Sequence, residues 1–437
     1  MTKMFVAGVV AGALLASTAI ARAETRLTIA TVNNGDMIVM QRLSSHFERQ
    51  HPDIRLNWVV LEENVLRQRV TTDIATRGGQ FDILTIGTYE VPIWAKQGWL
   101  APLDDLPAGY AVEDVLTPIR EGLSHDGRLY ALPFYGESSM TFYRKDLFDD
   151  AGLTMPAQPT YEQVTEFART LHDPANQRYG ICLRGKPGWG ENMAFVSTMV
   201  NTFGGRWFDM EWNPAIDTPE WHRAVGTYID LLRNYGPPGA SSNGFNENLA
   251  LFANGQCAMW IDATVAAGML YNPGQSRVHD KVAFAQAPVG SWEKGNAWLW
   301  SWALGIPSTS QKADAARQFV TWATSADYVG LVAEEEGWVA VPPGTRASTY
   351  ARAEYTAVAP FAEFVLAAIQ SADPVKTTRD PKPYIGIQYA GIPEFQAIGT
   401  QVGQTIAAAL TGQVTVEQAL KSAQSATERT MRQAGYR

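Results

Sequence analysis

The sequence predicts an α/β protein made of two lobes and a largely helical C-terminal third. Three features carry that expectation. Segments with period-two apolar alternation exchange with segments of helical period between residues 26 and 86. A similar exchange recurs after residue 178. The chain of 437 residues also exceeds what a single core usually holds.

Residues 26–32 (RLTIATV) alternate and are rich in β-branched side chains, which predicts a strand. Asn33-Asn34-Gly35 is a turn, and Asp36 is placed to cap a helix carrying Met37, Met40, Leu43 and Phe47 on one face. Residues 54–61 are a second strand, 65–77 a second helix ended by Gly78 and Gly79, and 81–86 a third strand. Strand, helix, strand, helix, strand predicts right-handed crossovers and a parallel sheet covered on both faces. Further on, 179–183, 257–261, 282–287 and 299–306 read as strands and 219–232 as a helix. Helices are expected over 312–324, 326–336, 350–370, 392–410 and 416–434.

The first 23 residues read as an export leader. Lys3 supplies a positive start, residues 4–20 are apolar, and Ala21-Arg22-Ala23 offers the small side chains a signal peptidase accepts, so the mature chain is expected to begin at Glu24. No other stretch approaches spanning length, which predicts a soluble, exported protein. Composition is globular, with 46% hydrophobic and 18% charged residues and a formal charge of −9. Basic runs with interleaved aromatics are absent, so nucleic acid is not an expected partner. Cys182 and Cys257 lie in apolar, strand-like runs. An oxidising compartment allows them to pair, and their surroundings equally suit two small buried thiols.

Seven short motifs follow one another in an order that resembles a known family. They are FDIL (81–84) with AKQGWLAPLD (95–104), DGRLYALP (126–133), FYRKDLFDDAGL (142–153), PTYEQV (159–164), FANGQCAMW (252–260), LGIPS (304–308) with AARQF (315–319), and LTGQV (410–414) with EQAL (417–420). The chain resembles the extracellular solute-binding proteins of ABC importers, in the group that contains maltose-binding protein. The segments RGKPGWGENM (184–193), WIDAT (260–264) and WLWSW (298–302) are most similar to those of sorbitol- and mannitol-binding members.

The resemblance implies a periplasmic protein of the two-lobed type II binding fold, with the ligand in the cleft and transmembrane permease subunits as partners. It also implies a monomer without cofactor or metal. Crossings between lobes are then expected near 134–139, 301–304 and 341–346. These give an N-lobe of 24–136 plus 303–342 and a C-lobe of 137–302 plus 343–437.

A polyol carries many hydroxyls on a hydrocarbon frame. Charged and amide groups must replace its water, and flat aromatic faces must cover its C–H surface. Residues at strand ends suit that task. Asn33 and Asn34 follow the first strand, where turn chemistry explains them equally well. Thr88 and Tyr89 follow the third. Glu137 falls where family members often place a ligand carboxylate. Arg184 ends a strand and can fork onto two hydroxyls, with Trp189 and Glu191 just beyond. Asp262 is either a ligand carboxylate or a helix cap. Trp298, Trp300 and Trp302 share one side of a strand. Trp338 and Tyr384 complete the candidate set.

Catalytic signatures are missing: there is no H-E-x-x-H, C-x-x-C, phosphate loop or nucleophile elbow, and the six histidines lack metal-ligand spacing. Ser291 to Lys294 matches S-x-x-K without its companions. A non-enzymatic receptor is therefore expected. Two alternatives stand beside it. One is a receptor for oligosaccharides, for which fourteen tryptophans would suffice as platforms. The other is a glycoside hydrolase using Glu137 with Asp262.

Overall fold

The computed structural model describes residues 24–436; the expected leader lies outside the described residues. The five-stranded sheet of the first lobe begins with β1 (Thr25–Val32), β2 (Ile54–Leu61) and β3 (Ile83–Gly87). β1 pairs in parallel with both others. Helix α1 (Gly35–Gln50) joins β1 to β2, and α2 (Glu63–Ala75) joins β2 to β3. α1 buries Met37, Met40, Leu43 and Phe47, the stripe the period predicts. Its cap is Asn34 rather than Asp36: the Met37 amide donates to Asn34 Oδ1 at 2.9 Å. α3 (Glu90–Lys96) follows β3.

After a small hairpin of β4 (Ser124–His125) and β5 (Arg128–Leu129), β6 (Ala131–Glu137) returns to the first sheet. One residue, Ser138, separates it from β7 (Ser139–Arg144), the centre of a second sheet. β7 pairs antiparallel with β8 (Met259–Ala263) and β9 (Val282–Gln286). β10 (Trp300–Gly305) then inserts antiparallel between β3 and β6, so the first sheet runs β2-β1-β3-β10-β6 and is mixed rather than purely parallel. All of β10 belongs to the first sheet, so the chain passes between lobes before Trp300 and not at 301–304.

Two further expectations change. Residues 179–183 form only single bridges, Tyr179 to Cys257 and Cys182 to Trp260, instead of a full strand. Cys182 and Cys257, each in one of these bridges, lie close enough to be joined in a disulfide, with Cα atoms 5.9 Å apart. The long helix expected over 350–370 is three pieces, Ala347–Tyr350, Ala353–Val358 and Ala362–Ser371. Pro360 explains the last break: it disfavours helical backbone at Ala359 and has no amide to donate. The C-terminal helices Phe395–Leu410 and Val416–Gln433 pack on each other and on Pro219–Tyr235 of the second lobe. Among the described residues no helix is long and apolar enough to cross a membrane.

Candidate functional site

The ends of β1, β2, β6 and β10 converge with the 184–191 loop on a cavity of about 160 Å³ between the sheets. Three indoles form its aromatic wall. Trp298, Trp300 and Trp302 all line it, as their spacing predicts, and Trp189 faces them from the other lobe. Trp300 meets Trp302 edge to face at 5.3 Å and Trp189 at 5.7 Å. Behind them lies Arg67 of α2, its guanidinium 4.0 Å from the Trp189 ring, 4.5 Å from Trp302 and 4.9 Å from Trp300. Arg67 keeps its charge through Glu63 (2.9 Å) and Glu90 (2.6 Å).

The polar wall is built around Arg184. Its Nε donates to Asp262 Oδ2 at 2.9 Å and its Nη2 to Asp262 Oδ1 at 2.6 Å, a parallel fork, while Nη1 donates to the Gly190 carbonyl at 2.8 Å. Burial works against the guanidinium charge, but Asp262, with Glu191 and Glu63 beyond it, outweighs that and raises its pKa. Asp262 is further held by the Trp260 Nε1–H (3.1 Å) and the Ala263 amide (2.7 Å). It is 1% exposed and does not line the cavity, so it orients Arg184 instead of facing the space. Its carboxylate is spent on that task, which removes the second half of a Glu137–Asp262 glycosidase pair.

Glu137, at the end of β6, does line the cavity, and no protein group among the described residues hydrogen-bonds its carboxylate. Burial pushes its pKa well above the ordinary carboxylate range; Arg184 opposes the shift, and Asp262, Glu63 and Asp36 add to it. Glu191 is raised to about 8, first by burial and then by Glu63, with Arg184 and Lys186 opposing. Its Oε2 lies 3.6 Å from Arg184 Nη1 and has no hydrogen-bond donor. Trp189 Nε1, Trp298 Nε1 and Gln388 Oε1 are likewise buried without partners. The lining thus presents unmatched donors and acceptors next to indole faces.

Of the other expected residues, Asn33 and Asn34 line the cavity, and Asn34 also donates from Nδ2 to Tyr135 Oη at 3.2 Å. Four are placed elsewhere. Thr88 is buried beside Gly122, away from the lining. Tyr89 reaches across the cleft, its hydroxyl donating to the Ile392 carbonyl (2.9 Å) and accepting from the Gln396 amide (3.1 Å). Trp338 sits in a short turn under Arg352, and Tyr384 accepts from the Trp207 amide in the second lobe's core. Sequence reasoning missed Glu62, Glu63, Arg67, Tyr135, Lys186, Phe245, Asn246, Glu247 and Gln388, all on the lining. The Glu62-Glu63-Asn64 cluster at the carboxyl end of β2 was the available signal, since ligands in such sheets gather at strand ends.

The model of the family described as bacterial extracellular solute-binding protein matches residues 34–330. The chain belongs to this family. It is 59% identical over 426 residues to the mannitol-binding protein of Pseudomonas aeruginosa, covering 98% of each chain. A crystal structure of an ABC transporter solute-binding protein from Agrobacterium vitis S4 with bound D-mannitol superposes with a TM-score of 0.93 at 60% identity, covering 94% of this chain and 99% of that one. A solute-binding protein from Agrobacterium radiobacter K84 in complex with ribitol shares the fold, with a TM-score of 0.82 at 24% identity over 93% of this chain and 99% of that one. As a member of this solute-binding family, the protein has the two-lobed fold of maltose-binding-protein-like receptors.

Proposed function

We propose that the protein captures a short acyclic polyol, D-mannitol first among them, and presents it to the permease of an ABC importer. The observation that carries this reading is the lining itself: the Glu137 carboxylate, Glu191 Oε2, Gln388 Oε1 and the Trp189 and Trp298 N–H groups have no hydrogen-bond partner among the described residues and stand against a wall of tryptophans. A hexitol supplies hydroxyls for the first set and C–H edges for the second. The high identity to a mannitol-binding protein and to a mannitol complex supports the same ligand class. The cavity, about 160 Å³, favours a small guest over an oligosaccharide.

In this reading Glu137, Arg184, Trp189, Glu191, Trp298, Trp300, Trp302, Asn33 and Asn34 contact the ligand, and Asp262 acts through Arg184. The protein works as a monomer without catalysis. Its leader is removed after Ala23, and the mature chain works in the periplasm. The lobes are 24–136 plus about 300–342, and the remainder, crossing at Ser138, near 297–299 and near 341–346. Calorimetry on refolded, ligand-free mature protein tests the reading. Hexitols should give saturable one-to-one binding and maltotriose none; the opposite pattern would establish the oligosaccharide receptor instead.

A further inference from the structure

α2 packs on β1 and β2 of the first lobe, and its first turn meets the loop before Glu191 of the second lobe at three points. Lys186 Nζ lies 2.5 Å from Glu62, Asn64 Nδ2 donates to the Pro187 carbonyl at 3.2 Å, and Arg67 stacks on Trp189. Between these contacts the loop steps through Gly188 and Gly190. A Cβ on Gly188 would stand 2.3 Å from Asn64 Oδ1, and one on Gly190 would stand 2.1 Å from Glu63 Oε1. Neither glycine has a positive φ, so the backbone does not demand glycine at either position. What stands in the way is the Asn64 amide and the Glu63 carboxylate, so a Cβ at Gly188 must push aside the side chain that bonds Pro187. Asn64, Pro187 and Gly188 lie outside the cavity lining.

The geometry points to a latch: the first turn of α2 seats on the glycine-stepped loop 186–190 and holds the lobes together through contacts no ligand makes, and the gap at Gly188 sets how far they close. Affinity is then governed partly from outside the cavity, because a guest that needs the closed form binds in proportion to the fraction of protein able to adopt it. This inference rests on the polyol-receptor reading for its link to affinity, but not for the latch itself.

The test uses the full mature chain in four forms: wild type, Gly188→Ala, Asn64→Ala and the double variant. Circular dichroism establishes that each is folded, solution scattering measures compactness, and calorimetry measures D-mannitol affinity. Gly188→Ala should be more open without ligand and should bind D-mannitol about tenfold more weakly, as a tenfold fall in the closed fraction requires. Asn64→Ala removes the atom that would collide, so the double variant should return to within about threefold of the Asn64→Ala single variant. Unchanged scattering and affinity in Gly188→Ala would overturn the latch, as would a double variant no better than Gly188→Ala. If wild type bound no polyol, the functional reading would fall, while the ligand-free scattering of the four forms would still decide the latch.

Discussion

Asp262 grips Arg184 through two parallel hydrogen bonds of 2.6 and 2.9 Å, yet only Arg184 reaches the cavity. A carboxylate at the end of a strand, which looks like a ligand contact, here sets the aim of its neighbour.

Removing that carboxylate takes away the hydrogen-bonded counter-charge of the buried Arg184 and leaves only Glu191, 3.6 Å away. Asp262→Ala should lower stability by about 3–5 kcal/mol and abolish D-mannitol binding. Asp262→Asn, which keeps the shape and two of the contacts, should lose less on both counts. Thermal unfolding and calorimetry measure the two effects, and an alanine variant as stable as wild type would contradict the assignment.

The pH profile follows from Glu191. In the folded protein its pKa is about 8, against 4.5 for an unperturbed glutamate. Between these values the folded chain holds more protons than the unfolded one, so the stability linked to this group is complete below about 4.5 and is lost as pH rises through about 8. Glu137 and Asp36, the latter raised to about 7 by burial, act with the same sign. The melting temperature of ligand-free protein should fall across that window, and Glu191→Gln should flatten part of the slope. Parallel profiles for the two proteins would count against it.

The Trp300 ring lies against Gly87. A Cβ at Gly87 would come within 2.0 Å of that ring, with no positive φ to accommodate. Gly87→Ala should therefore displace the indole at a cost of about 1–3 kcal/mol and weaken D-mannitol binding. Melting curves and titrations indistinguishable from wild type would show that the platform does not depend on this contact.

The Cys182–Cys257 bond closes a loop with a sequence separation of 75. Chain entropy alone assigns such a cross-link about 4.5 kcal/mol. The Cys182→Ser/Cys257→Ser variant should unfold at lower denaturant concentration, and reductant should shift wild type toward it. No shift in either experiment would mean that the bond does not stabilise the second lobe.

Much of the fold was legible because local periodicity is strong where one face is buried. β2 occupies the predicted residues, as does the helix Ala326–Glu336. Spacing placed the three tryptophans on one side of a strand, and their position beside an expected lobe crossing pointed them toward the cleft. What escaped depended on distant partners. Arg67 with Glu63 four residues earlier reads as an ordinary solvated helix pair; only the packing of two lobes buries it under three indoles. Tyr384 and Trp338 were isolated aromatics, and isolated aromatics usually serve a core or a turn. The cysteine pairing required knowing that 179–183 runs beside β8. Pro360 was visible in the sequence and should have divided the long helix.

A single residue, Ser138, parts β6 from β7, and Glu137 and Trp300 face each other as ladder neighbours immediately before it. A one-residue tether leaves no slack between the two sheets here, and Glu137 and Trp300 are held by the same ladder. The deepest part of the chamber is thus built on a single sheet beside the junction, and its geometry is as fixed as that sheet.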